Sequence, residues 1–214
     1  MNEIRYTLLG DGPSDKALLP LLRWLLMEHF VDYAIQSAWA DPYLLQGAHG
    51  LSERIRKSVD LYPCDLLFVH RDAENQPMGD RIEEIKAALI PLPDLQKPVV
   101  HVIPVRMQEA WLLFDEQAIR WAAGNKNGKM PLKLPSLKSI ENLPDPKEVL
   151  NDLLREASGL RTGLTITASL FMLDDGTIMK QLFSRVSLVA ADGKTCRHHI
   201  TRREWRNISK TLPR

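Results

Sequence analysis

Five carboxylates have the types and spacing needed to do chemistry, and each follows the end of a hydrophobic segment: Asp11, Asp15, Asp72, Glu74 and Glu109. The segments are Ile4–Leu9, Asp65–His70 and Val99–Val105, whose residues favour β-strands. Open parallel sheets bind ligands outside the carboxyl ends of their strands, so these side chains are expected to share one edge. Carboxylate oxygens are the ligands that Mg²⁺ (or Mn²⁺) prefers. A shared acidic site is one interpretation of this pattern, although loop carboxylates more commonly cap helices or contribute to solubility.

The segments between these strands are typical of helices. The turn Gly10–Pro13 precedes leucines at helical spacing, which predicts a strand, a glycine-rich turn and a helix. Helices are predicted over Lys16–Phe30, Gly47–Leu61 and Gly79–Ile90, a further helix begins in Met107–Phe114, and a weaker strand lies over Tyr33–Ala38. Strands that alternate with helices over residues 1–123 predict an α/β domain with a mainly parallel sheet flanked by helices.

The remainder of the chain has a different pattern. Residues 124–146 contain four prolines and little periodicity, which indicates a connecting or lid-like segment. A short amphipathic helix is predicted over Lys147–Ala157, followed by a β-hairpin formed by Leu164–Leu173 and Ile178–Val189 around an Asp-Gly turn. We therefore predict a domain over residues 1–125, and over residues 126–214 a smaller appendage with a connecting segment, a helix, the hairpin and a basic tail.

Composition and length exclude several classes of protein. The chain has 214 residues, 44% of them hydrophobic and 26% charged, which is ordinary for a soluble globular protein. Two cysteines cannot build a disulfide framework or a four-cysteine zinc site. The N-terminus does not resemble a signal peptide, and no apolar run is long enough to span a membrane. We expect a soluble cytoplasmic protein without a membrane partner.

The charge is distributed unevenly although the net value is only +1. Residues 194–214 contain seven basic side chains and one acidic side chain, whereas residues 1–193 contain 21 basic and 26 acidic ones. A basic tail can contact phosphate backbones, and a solvated terminal segment is the alternative. The predicted nucleic-acid contacts are Arg197, Arg202, Arg203 and Arg206.

Three runs of the sequence resemble motifs of a known family: TLLGDGPSDKALLPLLRWLL, DLLFVHRDAE and PVRMQEAWLLFD. The first resembles the opening motif of the Toprim domain, a strand followed by an acidic-Gly-x-x-Asp turn and a helix. The second resembles the next Toprim motif, a hydrophobic strand followed by two acidic residues one apart. The third resembles the Glu-x-Trp segment of bacterial Toprim-like proteins in domain-of-unknown-function family 4276. The resemblance covers about residues 1–125 and implies a Toprim-like fold.

The resemblance also implies roles for the five carboxylates. Asp11 stands where Toprim proteins usually have a glutamate that acts in proton transfer or metal binding, and Asp15 matches the second acidic residue of that turn. Asp72 and Glu74 match the Asp-x-Asp pair that binds Mg²⁺, with Glu in place of the second Asp. Glu109 matches the acidic residue before the tryptophan. The resemblance thus implies that Asp15, Asp72 and Glu74 are metal ligands. Asp11 or Glu109 would complete the coordination shell of the metal or accept a proton from the water that the metal activates.

These roles imply a Mg²⁺-dependent phosphodiester hydrolase, that is, a nuclease acting on nucleic acid. Many Toprim-like nucleases of bacterial phage-defence systems work with an ATPase. The turn GDGPSD lacks the Gly-Lys-Ser/Thr of a P-loop, so such an ATPase partner would act in trans. The alternative is a non-catalytic Toprim-fold subunit that binds a partner in an ATPase-containing complex. The near-neutral charge and the substituted acidic positions favour that alternative.

Four further side chains are predicted to be structural. His70 and His101 lie within apolar strands, where a histidine is most often buried and hydrogen bonded. Trp111 and Trp121 are expected to pack in the core, with stacking on a nucleic-acid base as the alternative.

Overall fold

The computed structural model describes residues 2–73, 76–104, 108–113, 115–136, 139–159 and 187–190. The strands are β1 (Asn2–Leu9), β2 (Tyr33–Trp39), β3 (Leu66–His70), β4 (Val99–Ile103) and β5 (Ser187–Ala190). The α-helices are α1 (Leu18–His29), α2 (Gly50–Leu61), α3 (Met78–Leu89), α4 (Glu116–Ala122) and α5 (Pro146–Ser158). Short 3₁₀ helices cover Pro13–Ala17, Gln108–Leu112 and Ile140–Asn142.

The strands form one sheet in the order β2-β1-β3-β4-β5. The first four strands are parallel, and β5 runs antiparallel to β4. From β1 the chain moves outward to β2, and it then crosses back to place β3 on the other side of β1. The connections therefore change direction between β1 and β3, which is the topological switch point where open α/β sheets bind ligands. The prediction of an α/β fold with a mainly parallel sheet is confirmed.

Hydrophobic patterning explains why these elements form. In α1, the buried residues recur at helical spacing and make one apolar stripe: Leu18, Leu21, Leu22, Leu25 and Leu26. Every residue of β3 and β4 is buried, as expected for central strands covered on both faces. Each of these two strands nevertheless contains one histidine, His70 in β3 and His101 in β4.

Helices cover both faces of the sheet and enclose two hydrophobic cores. One core joins alternate residues of β1, β3 and β4 to α1, α4 and α5, and in it the rings of Tyr6 and Phe68 meet edge to face at 5.5 Å. The other core joins the opposite faces of the same strands to α2 and α3, through Ile55, Ile82 and Ile85. The molecule is thus a doubly wound sheet with the switch point between β1 and β3.

Two elements beyond residue 125 belong to this sheet and its cores. The predicted helix over Lys147–Ala157 is confirmed as α5, and its apolar side joins the core that contains α1. β5 extends the sheet beside β4. Apart from Ser187–Ala190, the predicted hairpin and the basic tail lie outside the described residues. The domain boundary near residue 125 stays a prediction.

Among the residues that the structure describes, none of the helices has the length and apolar character needed to cross a membrane.

Candidate functional site

Four of the five predicted carboxylates lie at the carboxyl ends of three neighbouring strands. Asp11 and Asp15 follow β1, Asp72 follows β3, and Glu109 lies in the 3₁₀ helix that comes after β4. The parallel pairing of β1 with β3 and of β3 with β4 brings these ends to one edge of the sheet, at the switch point. The structure therefore places these four residues at the same edge of the sheet, while their roles in a site stay predictions.

The turn after β1 folds the carboxylate of Asp15 back onto the backbone. Its Oδ2 accepts hydrogen bonds from the backbone N–H of Asp11 at 2.7 Å and of Gly12 at 3.1 Å. Gly10 permits this close approach, because a Cβ at that position would lie 2.7 Å from Asp15 and 2.8 Å from the ring of Trp39. Within the turn the steric requirement for glycine therefore lies at Gly10, since a Cβ at Gly12 would meet no atom within 4 Å.

His70 links two of the carboxylates. It is the last residue of β3 and its side chain is fully buried. Its Nδ1 lies 3.1 Å from Oδ2 of Asp15, within hydrogen-bond distance, and its Nε2 lies 3.4 Å from Oδ1 of Asp72. The second pair is a charge contact, since neither of its atoms has a hydrogen-bond partner among the described residues. The prediction of a buried, hydrogen-bonded His70 is confirmed, whereas its position between two carboxylates was not predicted from the sequence.

Proximity of opposite charges shifts the pKa values of this chain of groups. Burial alone lowers the pKa of His70, but the hydrogen bond to Asp15 and the nearby carboxylate of Asp72 outweigh it and raise that pKa to about 9. Burial likewise acts to raise the pKa of Asp15, yet His70 and the N–H groups of Gly12 and Asp11 lower it overall. At neutral pH the group is therefore an imidazolium held by carboxylates.

Glu109 differs from the other carboxylates of the site. It is 5% exposed, and burial raises its pKa above the ordinary value for a glutamate. The negative charges of Asp72 and Asp15 raise the pKa further, against an opposing effect of Lys147. Glu109 thus holds a proton to higher pH than an exposed glutamate does.

Two arginines surround Asp11 at the outer part of the site. The guanidinium of Arg71 binds the carboxylate of Asp11 and also that of Glu84, the latter at 2.7 Å. Nη1 of Arg54 lies 3.5 Å from the same Asp11 carboxylate, and its Nη2 donates to the carbonyl oxygen of Gly10. Arg54 lies in α2 and was not among the residues predicted for the site. Only the packing of α2 against β1 brings it to the site.

The arrangement of these side chains does not fit a divalent cation. In the described part of the chain, no group of three His, Cys, Asp or Glu side chains is placed to hold a metal ion. The physical reason is that the carboxylates are already engaged: Asp15 accepts from His70 and two N–H groups, and Asp11 is bound by Arg71. Glu74, the third predicted ligand, lies outside the described residues, so Mg²⁺ (or Mn²⁺) binding stays a prediction.

The remaining sequence predictions have mixed outcomes. The predicted nucleic-acid contacts of the tail lie outside the described residues: Arg197, Arg202, Arg203 and Arg206. His101 is buried in β4 as predicted, and burial lowers its pKa to about 4, but among the described residues its ring has no hydrogen-bond partner. The expectation that Trp121 packs in the core is wrong, because that side chain is 53% exposed. α4 instead buries Ala118 and Ile119.

No protein-family model matches this chain, and neither a curated protein nor a solved structure matches it. The resemblance to Toprim proteins therefore stays a prediction, and the case for a function rests on the geometry of the site.

Proposed function

We propose that the chain is a phosphodiester hydrolase that acts on nucleic acid, with its active site at the carboxyl ends of β1, β3 and β4. The observation that supports this most strongly is the buried chain Asp15–His70–Asp72 with Glu109 beside it at the switch point. Burying a charged group costs several kcal/mol, and the pairing of opposite charges has to offset that cost. A buried series of charged side chains is therefore weak evidence that these residues serve only to stabilise the fold. Groups with strongly shifted pKa values at a ligand-binding edge are typical of active sites.

The different surroundings of the carboxylates assign them acid and base roles. Glu109, whose pKa is raised by burial and by its acidic neighbours, is the proton donor to the leaving oxygen of the phosphate ester. The side chain of Asp72 is 21% exposed, so an attacking water can reach its carboxylate and transfer a proton to it. Asp15 and His70 are positioning residues, because they orient Asp72 from the buried side.

The two arginines at Asp11 provide the binding site for the phosphate. Their side chains are about one-fifth exposed, and a guanidinium matches the geometry of phosphate oxygens. In the absence of substrate, Asp11 holds Arg54 and Arg71 in place by accepting from both. An arriving phosphate replaces the carboxylate as their acceptor.

A divalent cation, when bound, would stabilise the charge that develops on the phosphate. The carboxylates as arranged do not fit one, so no step of this proposal depends on it. The predicted dependence on Mg²⁺ or Mn²⁺ is tested by calorimetric titration of the intact chain and of Asp72→Asn, in which metal binding lost in the variant supports the prediction.

The decisive experiment compares cleavage of labelled single- and double-stranded DNA and RNA by the intact chain and by Asp72→Asn and Glu109→Gln, each with and without Mn²⁺. Removing a general acid or base is expected to slow cleavage about 10²- to 10⁴-fold. The matched controls are Asp152→Asn and Glu83→Gln, which change exposed carboxylates on α5 and α3 and should cleave at the rate of the intact chain. Equal rates in the site variants and the controls would reject the assigned roles.

A second candidate function is a non-catalytic subunit that binds a protein partner. The ion pairs within the acidic cluster favour it, because Asp11 pairs with Arg71, and Asp15 and Asp72 share the single charge of His70. For this candidate we expect no cleavage of any nucleic acid, and a much lower melting temperature for Asp72→Asn than for Asp152→Asn. An ATPase partner that acts in trans belongs to both candidates as a prediction.

A further inference from the structure

A basic surface lies along the segment that begins at α4. From Gln117 to Ile140 the sequence contains five Lys and Arg residues and no acidic residue. Within this segment Lys126, Lys129 and Lys133 are exposed, as is Trp121. We propose that these four residues, the Trp121 surface, bind single-stranded nucleic acid, with the indole stacked on a base and the lysines contacting phosphates. The inference rests on the proposed function for its substrate class and assigns the place where that substrate is held.

The loop that presents the lysines has a defined conformation. Gly124 ends α4 in the left-handed region at a φ of 73°, and the side chain of Asn125 donates to the carbonyl oxygen of Ala157 in α5 at 2.9 Å. Arg120, buried and paired with Glu116 at 2.6 Å, also donates to the carbonyl oxygen of Met130. These contacts fix both ends of the loop to the helices.

Gly128 lets the loop close tightly on these two side chains. A Cβ at this position would lie 2.7 Å from Nδ2 of Asn125 and 2.8 Å from Nη1 of Arg120. The backbone N–H of Gly128 donates to the carbonyl oxygen of Asn125 at 3.0 Å. A loop that is already ordered loses less conformational entropy on binding, which favours affinity.

Trp121 supplies the recognition element that the lysines lack. An indole more than half exposed has a face available to a base, and stacking on an aromatic side chain contributes about 1–3 kcal/mol per base. Nζ of Lys126 lies over the ring, 5.6 Å from its centroid, so a cation contacts one face of the indole and a base would stack on the other. The pairing of a flat ring with cations fits an unpaired strand, since the faces of bases in a duplex are covered by their neighbours.

The surface is linked to the proposed active site through common elements. The 3₁₀ helix that carries Glu109 and helix α4 both contact α5, and a short connection joins them in sequence. A strand held at Trp121 is therefore held on the same side of the sheet as the helices that position Glu109. This arrangement suits a substrate that is bound at one place and cleaved at another.

The test is fluorescence anisotropy of a labelled oligonucleotide of about 15 nucleotides, the upper end of typical single-strand site sizes. It uses the full chain in EDTA, so that cleavage does not contribute. Trp121→Ala is expected to weaken binding ~5- to 150-fold, which corresponds to the loss of one stacked base. K126Q/K129Q should flatten the slope of log affinity against log salt by about 1.4, since each of two phosphate contacts on single strands contributes about 0.7. The matched controls are Tyr43→Ala, which removes another exposed aromatic ring, and K57Q/K86Q, which removes two lysines elsewhere.

Binding and cleavage are measured separately, so the inference and the proposed function can fail independently. Binding that is lost in Trp121→Ala, with no cleavage by any variant, supports the surface and rejects the hydrolase. Cleavage with equal affinity for the intact chain and Trp121→Ala rejects the surface alone. Absence of binding by the intact chain, or equal salt slopes for the two lysine double variants, also overturns the inference. Melting curves confirm that each variant is folded.

Discussion

The switch-point site and the Trp121 surface both depend on charge, but they use it under opposite conditions. At the switch point, His70 is fully buried between Asp15 and Asp72, so each charge is desolvated and paired. On the Trp121 surface the lysines are exposed in a segment without acidic residues. Charged pairs that are excluded from water shift each other's pKa values and determine the stability of the fold. Exposed charges of one sign attract binding partners of the opposite charge, and salt weakens that attraction. Substitutions at the switch point should therefore mainly change the stability of the fold, whereas substitutions at the Trp121 surface should mainly change binding.

The largest effect is expected from His70→Ala. The change leaves the buried Asp15 and the partly exposed Asp72 without their cation, and breaking a buried pair such as Asp15–His70 costs about 3–5 kcal/mol. Urea unfolding monitored by circular dichroism measures the loss. His49→Ala, at an exposed histidine, is the control and should change the free energy of unfolding by less than ~0.5 kcal/mol. A loss as small as the control's would show that the charges at the switch point are not coupled to folding.

The pH dependence of stability is the next largest effect. The pKa of His70 is raised from 6.5 to about 9, so its contribution is complete below pH 6.5 and is lost as the pH rises through 9. The full loss is on the order of 3 kcal/mol, because each unit of pKa shift corresponds to about 1.4 kcal/mol. Unfolding free energies between pH 6 and about 9.5 should fall for the intact chain and for K126Q/K129Q alike. His70→Ala should lack this fall, and an equal fall in that variant would assign the pH dependence to other groups.

A smaller effect is expected from Gly10→Ala. Its Cβ would lie 2.7 Å from Asp15 and 2.8 Å from Trp39, so the turn must shift, at a cost of about 1–3 kcal/mol for overpacking. Gly12→Ala is a matched control in the same turn, because a Cβ there meets no atom within 4 Å and its φ is −143°. Thermal melting compares the two. Equal melting temperatures would mean that the contact between Asp15 and the turn is loose.

The smallest effect on folding is expected at the Trp121 surface. K126Q/K129Q removes two exposed charges, which changes the free energy of unfolding by less than ~0.5 kcal/mol. The same variant should bind the oligonucleotide with a flatter salt dependence than the intact chain. A double variant that is strongly destabilised would show that these lysines are structural, and it would remove the contrast between the two regions.

Strand patterning allowed much of the site to be predicted. β1, β3 and β4 are formed by the apolar runs that precede Asp11, Asp72 and Glu109. Because these strands are parallel, their carboxyl ends lie at one edge of the sheet. The helical spacing of the leucines of α1 likewise identified that helix, because it needs one apolar stripe to cover the sheet. These features depend on local periodicity, which is visible in a single sequence.

Contacts between elements could not be predicted in the same way. Arg54 reaches Asp11 from α2, more than forty positions along the chain, and His70 reaches Asp15 across fifty-five. Trp121 was expected in the core, but Ala118 and Ile119 fill the buried side of the short helix α4, and the indole faces outward. Helical spacing identifies a helix, whereas the face that is buried depends on what the helix packs against.

The sequence by itself determined that strands and helices alternate and that carboxylates follow the strand ends, since both follow from residue type and local spacing. Only the tertiary structure decided the electrostatic character of the site. It inserted an imidazolium between Asp15 and Asp72, bound Asp11 to arginines and buried Glu109. The physical reason is that pKa values depend on the distances between charges and on their exclusion from water, and both are fixed only when separate segments pack together.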